Sequence, residues 1–561
     1  MTGKYFRLAV ITITVIMSQS CRDHTALAVD NVTDTPTPAL ESWTVMYYSN
    51  GGSDLDECIV TNMAETFLSD PDPKINMTFQ YKPSKSVLHT APFDHLGGVV
   101  RFDLAQQRSH VGEPTNDEDT GFACRWITRL QKPQVVGDAS YDMTDPDHIA
   151  DFIRYCRQLH PADHYMFLFS GHGGGYNVLK DGVAARAKTL FDDDDDDDEL
   201  DENVPQLANL IAGIQQGMGG QKLDVLYLDA CLMATVENVA AYSQVSRYFL
   251  GSEEVVPGDG GDYGNMLNMI ANHSDDVQAW AKEYIDHVVD VDWGEDEDVA
   301  DLGLYDLQHV QQLLAPVQRL GEQLRTDYSD SRGAARIDQA VITCQSARGV
   351  TDTLIDCPKE FRNLLPKGEK QTSAAIIQQH TSTPRDFSRN FLNVGDGTGV
   401  AELWANATEQ IVRNYTLADL MNVLTTVMPE AKRPVYESIY KDYLAALKAH
   451  SYLRCTGGDQ QMARRLTSLS ITLCGMSTAA LEFDNYCQVL SEADDLYAPK
   501  SNPSPFLSDN MDSRHRAAQV RECYASSVFD QMTGHTWSAF LGQLQVNPGL
   551  FSNPSRETIH R

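Results

Sequence analysis

Short apolar runs alternate with helical patterns through the first half of the chain. The runs at 42–49, 75–81, 165–169 and 223–229 are rich in β-branched and aromatic residues, which is typical of buried strands. Between them, apolar residues recur at helical spacing over 54–68, 149–159 and 204–214. Asp145-Pro146 marks a helix start, because aspartate caps a helix and proline fits its first turn. The alternation predicts an α/β fold with a mainly parallel sheet flanked by helices.

Longer helical patterns dominate the second half of the chain. They cover 417–427 and 435–447, and one more strand is predicted at 468–473. No internal repeat and no clean linker separates the two halves. We therefore expect a first domain at 42–315 and a helix-rich C-terminal α/β region at 316–561 that packs on it.

The amino-terminal segment has the pattern of an export signal. Lys4 and Arg7 precede an apolar run at 8–17 that is too short to span a bilayer, which predicts a signal peptide at 1–20. Residues 18–21 resemble a bacterial lipoprotein cleavage site, although Ser18 stands where a leucine-like residue is usual. We expect a lipid on Cys21, a flexible tether at 21–41, and a membrane-anchored or cell-surface location. The alternative is plain secretion, with Cys21 an ordinary cysteine.

The chain is strongly acidic, with a net charge of −35 and a pI near 4.7. This charge argues against nucleic acid as a partner and is compatible with cationic ligands. Seven consecutive aspartates at 192–198 repel one another, which predicts a solvated loop within 181–203. The alternative is an irregular Ca²⁺ site at Asp192, Asp194 and Asp196. The cysteines form no CxxC pair or His/Cys cluster, so no structural zinc site is expected.

Two strand ends carry residues suited to nucleophilic catalysis. His172 follows the run at 165–169 in a glycine-rich turn, and Cys231 follows the run at 223–229. Carboxyl ends of parallel strands meet at one edge of a sheet, so the two residues are expected to meet. A cysteine peptidase needs a thiolate, a base and donors for the oxyanion. We expect Cys231 to begin a helix at 232–242 that favours the thiolate, and the N–H groups of Gly173 and Cys231 to form the oxyanion hole.

The sequences around these two residues resemble known motifs. Phe169-Ser-Gly-His-Gly-Gly174 and Leu228-Asp-Ala-Cys-Leu-Met-Ala234 are similar to the His and Cys motifs of caspase-like (clan CD) cysteine peptidases, and in detail to the clostripain family. Similar stretches extend the resemblance over roughly 42–541. Ser170 replaces an aromatic residue common in the family, and the aspartate run is not a family feature.

The resemblance implies a caspase-like catalytic domain at 42–315 that hydrolyses peptides after Arg or Lys without a cofactor. Cys231 would be the nucleophile and His172 the general base. Acidic groups would hold the basic side chain, with Asp229 the first candidate, Asp259 the second and Asp262 the third. Family precursors are often cut between the two motifs, which implies processing at Arg186-Ala187, with Lys188 as a neighbouring site.

Two other interpretations remain. His172-Gly-Gly-Gly175 also resembles the oxyanion motif of esterases, but the chain has no G-x-S-x-G serine. The protein would otherwise be a lipid-anchored calcium-binding or partner-binding protein with an inactive peptidase-like domain.

Overall fold

The computed structural model describes residues 41–51, 55–112, 114, 123–173, 175–176, 204–258, 260–294, 300–334, 337, 417–420, 433–456, 469–473 and 521–544. In these residues the strands are β1 Trp43–Asn50, β2 Ile75–Lys82, β3 Val99–Asp103, β4 Gln134–Gly137, β5 His164–Ser170, β6 Leu223–Asp229, β7 Ser246–Gly251, β8 Ala300–Asp306, β9 Leu417–Asp419, β10 Ser451–Thr456 and β11 Ser470–Thr472.

The α-helices of the same residues follow in chain order. They are α1 Asp56–Leu68, α2 Lys85–Leu88, α3 Leu104–Val111, α4 Pro146–Leu159, α5 Val204–Met218, α6 Val236–Tyr242, α7 Tyr263–Asn272, α8 Val277–His287, α9 Val310–Tyr328, α10 Arg433–His450, α11 Val528–Met532 and α12 Thr536–Leu541. Short 3₁₀ turns lie at Ala123–Arg129 and Leu307–His309, and a π turn lies at Val288–Asp292.

A nine-stranded sheet has the order β10-β8-β7-β6-β5-β1-β2-β3-β4. Strands β2, β1, β5, β6 and β7 run parallel, whereas β3 and β4 at one edge and β8 and β10 at the other are antiparallel. The predicted α/β class is confirmed. The sheet is mixed, because antiparallel strands extend the parallel centre at both edges.

Each face of the sheet is covered by its own apolar core. Along β1, Met46 and Tyr48 enter one core while Val45 and Tyr47 enter the other, because neighbouring side chains of a strand point to opposite faces. One core packs against α4, α5, α6, α9 and α10, and the other against α1, α3, α7 and α8. This two-sided burial explains why the central strands are continuous apolar runs.

Helices α4 and α5 approach each other closely through two glycines. A Cβ at Gly213 would lie 2.7 Å from Cβ of Ile149, and one at Gly217 would lie 2.6 Å from Cβ of Ile153. Both isoleucines are fully buried. The glycine face of α5 therefore seats directly on the apolar stripe of α4 that the sequence predicts.

Segments from the second half of the chain join this core. Strand β10 pairs with β8, α10 packs against α9, and the small β9–β11 pair lies beside α6. The predicted helix at 435–447 and the strand at 468–473 are present, but the pattern at 417–427 begins as strand β9. The domain boundaries remain a prediction. Within the described part of the chain, no helix combines the length and apolar character needed to cross a membrane.

Candidate active site

Strands β5 and β6 deliver the two chemical segments to one edge of the sheet. They pair in parallel, with Ser170 opposite Asp229 at their carboxyl ends. His172 and Cys231 each lie two residues beyond that pair. The N–H of Gly171 donates to the carbonyl of Asp229 at 3.3 Å, so the two chains stay together past the last strand pair.

The backbones of the two motifs touch at Gly173. A Cβ there would lie 2.3 Å from the carbonyl oxygen of Cys231 and 2.8 Å from its nitrogen, so no side chain fits. His172 and Cys231 are both half-buried, which leaves each partly accessible to a substrate. The contact brings the amides of residues 173 and 231 close together, as an oxyanion hole requires.

The thiol of Cys231 receives a backbone hydrogen bond. The N–H of Val256 donates to Sγ at 3.4 Å. Two backbone hydrogen bonds hold the segment 252–256 beside the segment that follows Cys231. The N–H of Leu232 donates to the Glu254 carbonyl at 3.0 Å, and the N–H of Ala234 donates to the Ser252 carbonyl at 2.8 Å. A donor aimed at sulfur favours the thiolate over the thiol.

The helix predicted at 232–242 is wrong in its first turn. Helix α6 begins at Val236, and Thr235 caps it by accepting the N–H of Asn238. Leu232 adopts a left-handed conformation with φ of 69°, which ends any helix at that point. The amino-terminal end of α6 therefore lies five residues beyond Cys231, and the amide of Val256 donates to the sulfur of Cys231.

Asp301 organises the segment beside Cys231, and sequence analysis missed it. Its carboxylate accepts from the Ser252 hydroxyl at 2.8 Å and from the N–H groups of Glu253 at 3.0 Å and Glu254 at 2.7 Å. Burial raises the pKa of the Asp301 carboxyl to about 6, against these hydrogen bonds. No local pattern marks it, because its partners lie on a distant loop.

Asp229 is a buried carboxylate among tyrosines. It is 6% exposed, and the hydroxyl of Tyr263 donates to its Oδ2. The rings of Tyr47 and Tyr227 lie 5.5 and 6.4 Å from that of Tyr263. Burial raises the pKa of the Asp229 carboxyl to about 6, and the Tyr263 hydrogen bond partly opposes the rise.

The glycine-rich segment after Pro257 passes directly over this carboxylate. Gly260 has φ of +59°, and a Cβ there would lie 3.0 Å from Asp229 Oδ2 and 2.1 Å from Asn62 Nδ2. The indole N–H of Trp293 donates to the Gly260 carbonyl at 2.6 Å. The segment is thus fixed close to Asp229. Asp259 lies outside the described residues.

Asp262 has a structural task at the start of α7. Its side chain accepts the N–H of Asn265 at 2.8 Å and the side-chain amide of the same residue at 2.7 Å. This is an N-cap, which satisfies a donor that the helix leaves unpaired. The other predicted positions, Arg186, Ala187, Lys188, Asp192, Asp194, Asp196 and Cys21, lie outside the described residues.

A histidine and a cysteine brought together at the carboxyl edge of a parallel sheet are the arrangement typical of cysteine-dependent hydrolases. A model of the clostripain family matches residues 117–512, which is more than half of the chain. The chain therefore belongs to the clostripain family of cysteine proteases. The family resemblance predicted from the two motifs is confirmed, and the chemistry of this family needs no cofactor.

Individual relatives are more distant. Clostripain of Hathewaya histolytica is 26% identical over 255 residues, which are 43% of this chain and 45% of that protein. The chain thus spans less than half the length of this relative. An inactive zymogen C11 protease of Parabacteroides distasonis is 11% identical with a TM-score of 0.44, covering 89% of this chain and 99% of that one. A secreted C11 cysteine protease of Bacteroides thetaiotaomicron, in complex with an irreversible peptide inhibitor, is 14% identical with a TM-score of 0.43, covering 77% and 92%.

Proposed function

We propose that this protein is an exported cysteine endopeptidase that cleaves peptide bonds after Arg or Lys. The observation that supports the proposal is the β5–β6 register, which pairs Ser170 with Asp229, each two residues before a proposed catalytic residue, in a chain of the clostripain family. In that family the cysteine chemistry is the shared activity, so the residues at this junction are the natural candidates for it.

The dyad would act through an acyl-enzyme. The Cys231 thiolate attacks the scissile carbonyl, a C–S bond forms, and the oxyanion is received by the amides of Gly173 and Cys231. The His172 imidazolium then gives its proton to the leaving amine as the C–N bond breaks. In the second half, His172 takes a proton from water, and the hydroxide displaces Cys231 to release the acid.

Asp229 is the proposed partner of the basic side chain before the scissile bond. Its buried carboxylate lies two residues from the proposed nucleophile. A guanidinium or ammonium group of the substrate would form a charge-assisted hydrogen bond with this carboxylate, which has little access to solvent. Asp259 is proposed as a second acidic group. The capping contacts of Asp262 favour a structural role for it, although it stays a candidate for the same pocket.

Processing and location are proposed from the sequence. Cleavage at Arg186-Ala187, or after Lys188, fits the proposed specificity. A purified wild type in two chains beside an intact Cys231→Ala chain would support self-cleavage, and a fully active single chain would contradict it. A Cys21→Ser protein that leaves the membrane fraction would support the lipid anchor.

Calcium binding at Asp192, Asp194 and Asp196 is a separate proposal. Its support is the density of carboxylates, which suits a hard cation. Activity that survives a calcium chelator unchanged would remove calcium from the mechanism.

The central test is hydrolysis of fluorogenic peptides that differ only in the residue before the scissile bond. Wild type should cleave the Arg and Lys peptides, and Cys231→Ala should cleave none. Cys156→Ala is the matched control, because this thiol lies on the buried face of α4 and not on the segments that surround Cys231. Binding of a partner or calcium by an inactive wild type would favour the binding-protein alternative instead.

A further inference from the structure

We propose that Asp306, His309 and His450 form a binding site for a divalent transition-metal ion such as Zn²⁺. One ligand atom from each residue lies within 4.8 Å of those of the other two. A carboxylate oxygen and two imidazole nitrogens are a usual zinc donor set, with water or a fourth protein atom completing the tetrahedron. Rotation of the side chains would bring these atoms to metal bonds of about 2 Å.

The three side chains lie next to one another. The rings of His309 and His450 stack with centroids 4.3 Å apart and an interplanar angle of 14°, so one ring would turn out of the stack to bind the same ion in its own plane. Nδ1 of His309 is 2.8 Å from Asp306 Oδ2, while Asp306 Oδ1 caps the turn that begins at Leu307 by accepting from Gln308 N–H at 3.0 Å. The carboxylate is therefore fixed by one oxygen and offers the other to the cluster.

Gln312 supplies the supporting hydrogen bond that metal-binding histidines commonly have. Its Oε1 lies 2.8 Å from Nε2 of His450, so this ring nitrogen donates and Nδ1 is left as the ligand atom. Asp306 is buried, His450 is half-buried and His309 is exposed, which gives an ion a route from solvent to a partly enclosed site.

The position of the cluster defines a structural role. Asp306 ends β8 and pairs with Tyr248, which pairs with Val225 near the start of β6. Cys231 follows the opposite end of β6, so the cluster is separated from the candidate nucleophile by roughly 20 Å along the strand direction. An ion there would not take part in peptide hydrolysis.

The ion would join two parts of the chain that are distant in sequence. His450 ends α10 and leads into β10, whose Ser451 pairs with Tyr305 of β8. Arg319 of α9 also contacts Asp442 of α10 at 2.6 Å, but both side chains are about half exposed, and such surface pairs contribute little. A metal at the corner would add a crosslink to the β8–β10 ladder and the α9–α10 packing that already hold the C-terminal segment on the edge of the sheet. The sequence does not suggest the site, because its ligands are adjacent only in the fold.

The test is zinc binding by the full chain carrying Cys231→Ala, which removes the candidate active-site thiol as a competing ligand. After treatment with a chelator, competition against a chromophoric zinc indicator should show one tight equivalent. His309→Ala and His450→Ala should weaken that binding by at least about 10- to 100-fold, the loss that changes to outer-shell partners already cause. His273→Ala is the matched control, since its side chain is 46% exposed beside a carboxylate, against 45% for His309.

Retention of the tight equivalent in both His309→Ala and His450→Ala would overturn the proposal. Co²⁺ titration of the parent chain gives a result that does not depend on the folding of either variant. Stoichiometric visible bands of tetrahedral cobalt without a thiolate charge-transfer band support the site. A thiolate band, or no stoichiometric binding, contradicts it.

Discussion

The replacement Asp229→Asn tests whether this buried carboxylate selects basic substrates. Asparagine keeps the shape of the side chain and can still accept from the Tyr263 hydroxyl, but it carries no charge. Removing one member of a desolvated charge pair costs about 2–5 kcal/mol. The kcat/KM for an Arg peptide should therefore fall by about 30-fold to several thousand-fold, while a citrulline peptide should be affected little.

The same replacement has an effect on stability whose sign follows from the raised pKa. The folded protein holds the proton on Asp229 more tightly than the unfolded chain, whose value is near 3.8, against about 6 when folded. The resulting stabilisation is complete below about pH 4 and is lost as the pH rises through about 6. Two pH units correspond to about 3 kcal/mol. Between pH 4 and pH 8 the free energy of unfolding of wild type should therefore fall by about 3 kcal/mol relative to that of Asp229→Asn.

Urea unfolding across this pH range and kcat/KM for the Arg and citrulline peptides are the measurements. Asp301, which has a similar raised pKa, is present in both proteins, so its titration cancels in the difference. Asp276→Asn is the control, because it removes one charge at the N-cap of α8, where asparagine also caps a helix. A constant stability difference across the range would refute the buried-carboxylate argument, and an equal loss on both peptides would refute the specificity role.

Three further replacements probe the site and its supports. Gly173→Ala places a Cβ 2.3 Å from the Cys231 carbonyl, so kcat should fall by about 10²–10³ with the fold intact by circular dichroism, and near-normal kcat would contradict the oxyanion assignment. Asp262→Ala should cost about 1 kcal/mol in urea unfolding without changing Arg over Ala preference, and a lost preference would place Asp262 in the pocket. Tyr524→Phe removes the hydroxyl that donates to buried Glu237 at 2.6 Å, so the free energy of unfolding in urea should fall by about 1.5–3 kcal/mol. Unchanged stability would show that the hydrogen bond from the Thr472 N–H is enough to satisfy the Glu237 carboxyl group.

The strand pattern was enough to predict where His172 and Cys231 fall in the fold. Both follow continuous apolar runs, and such runs become central parallel strands because both faces are buried. The predicted start of the next helix is wrong because Leu232 adopts a left-handed conformation. An apolar side chain gives no sequence signal for such a conformation. Thr235, a favourable cap, was the available signal.

Long-range partners lay beyond the reach of sequence patterns. Tyr263 meets Asp229, and Asp301 meets the segment after Ser252, across intervals that no periodicity spans. The same holds for β10, which reaches the sheet edge from the far half of the chain. Such contacts depend on how the whole chain folds, whereas strands and helix stripes follow from neighbouring residues.

The glycine contact between α4 and α5 makes the protein a natural subject for fragment complementation. The first fragment would end after β5 and the second would begin at α5, with His172 on one and Cys231 on the other. Their association would rest on the ladder between β5 and β6 and on Gly213 and Gly217 seated against α4. Two separately expressed pieces should therefore reassemble the dyad without a peptide bond between them. A leucine at Gly217 would separate them, because the space it needs is already filled by Ile153.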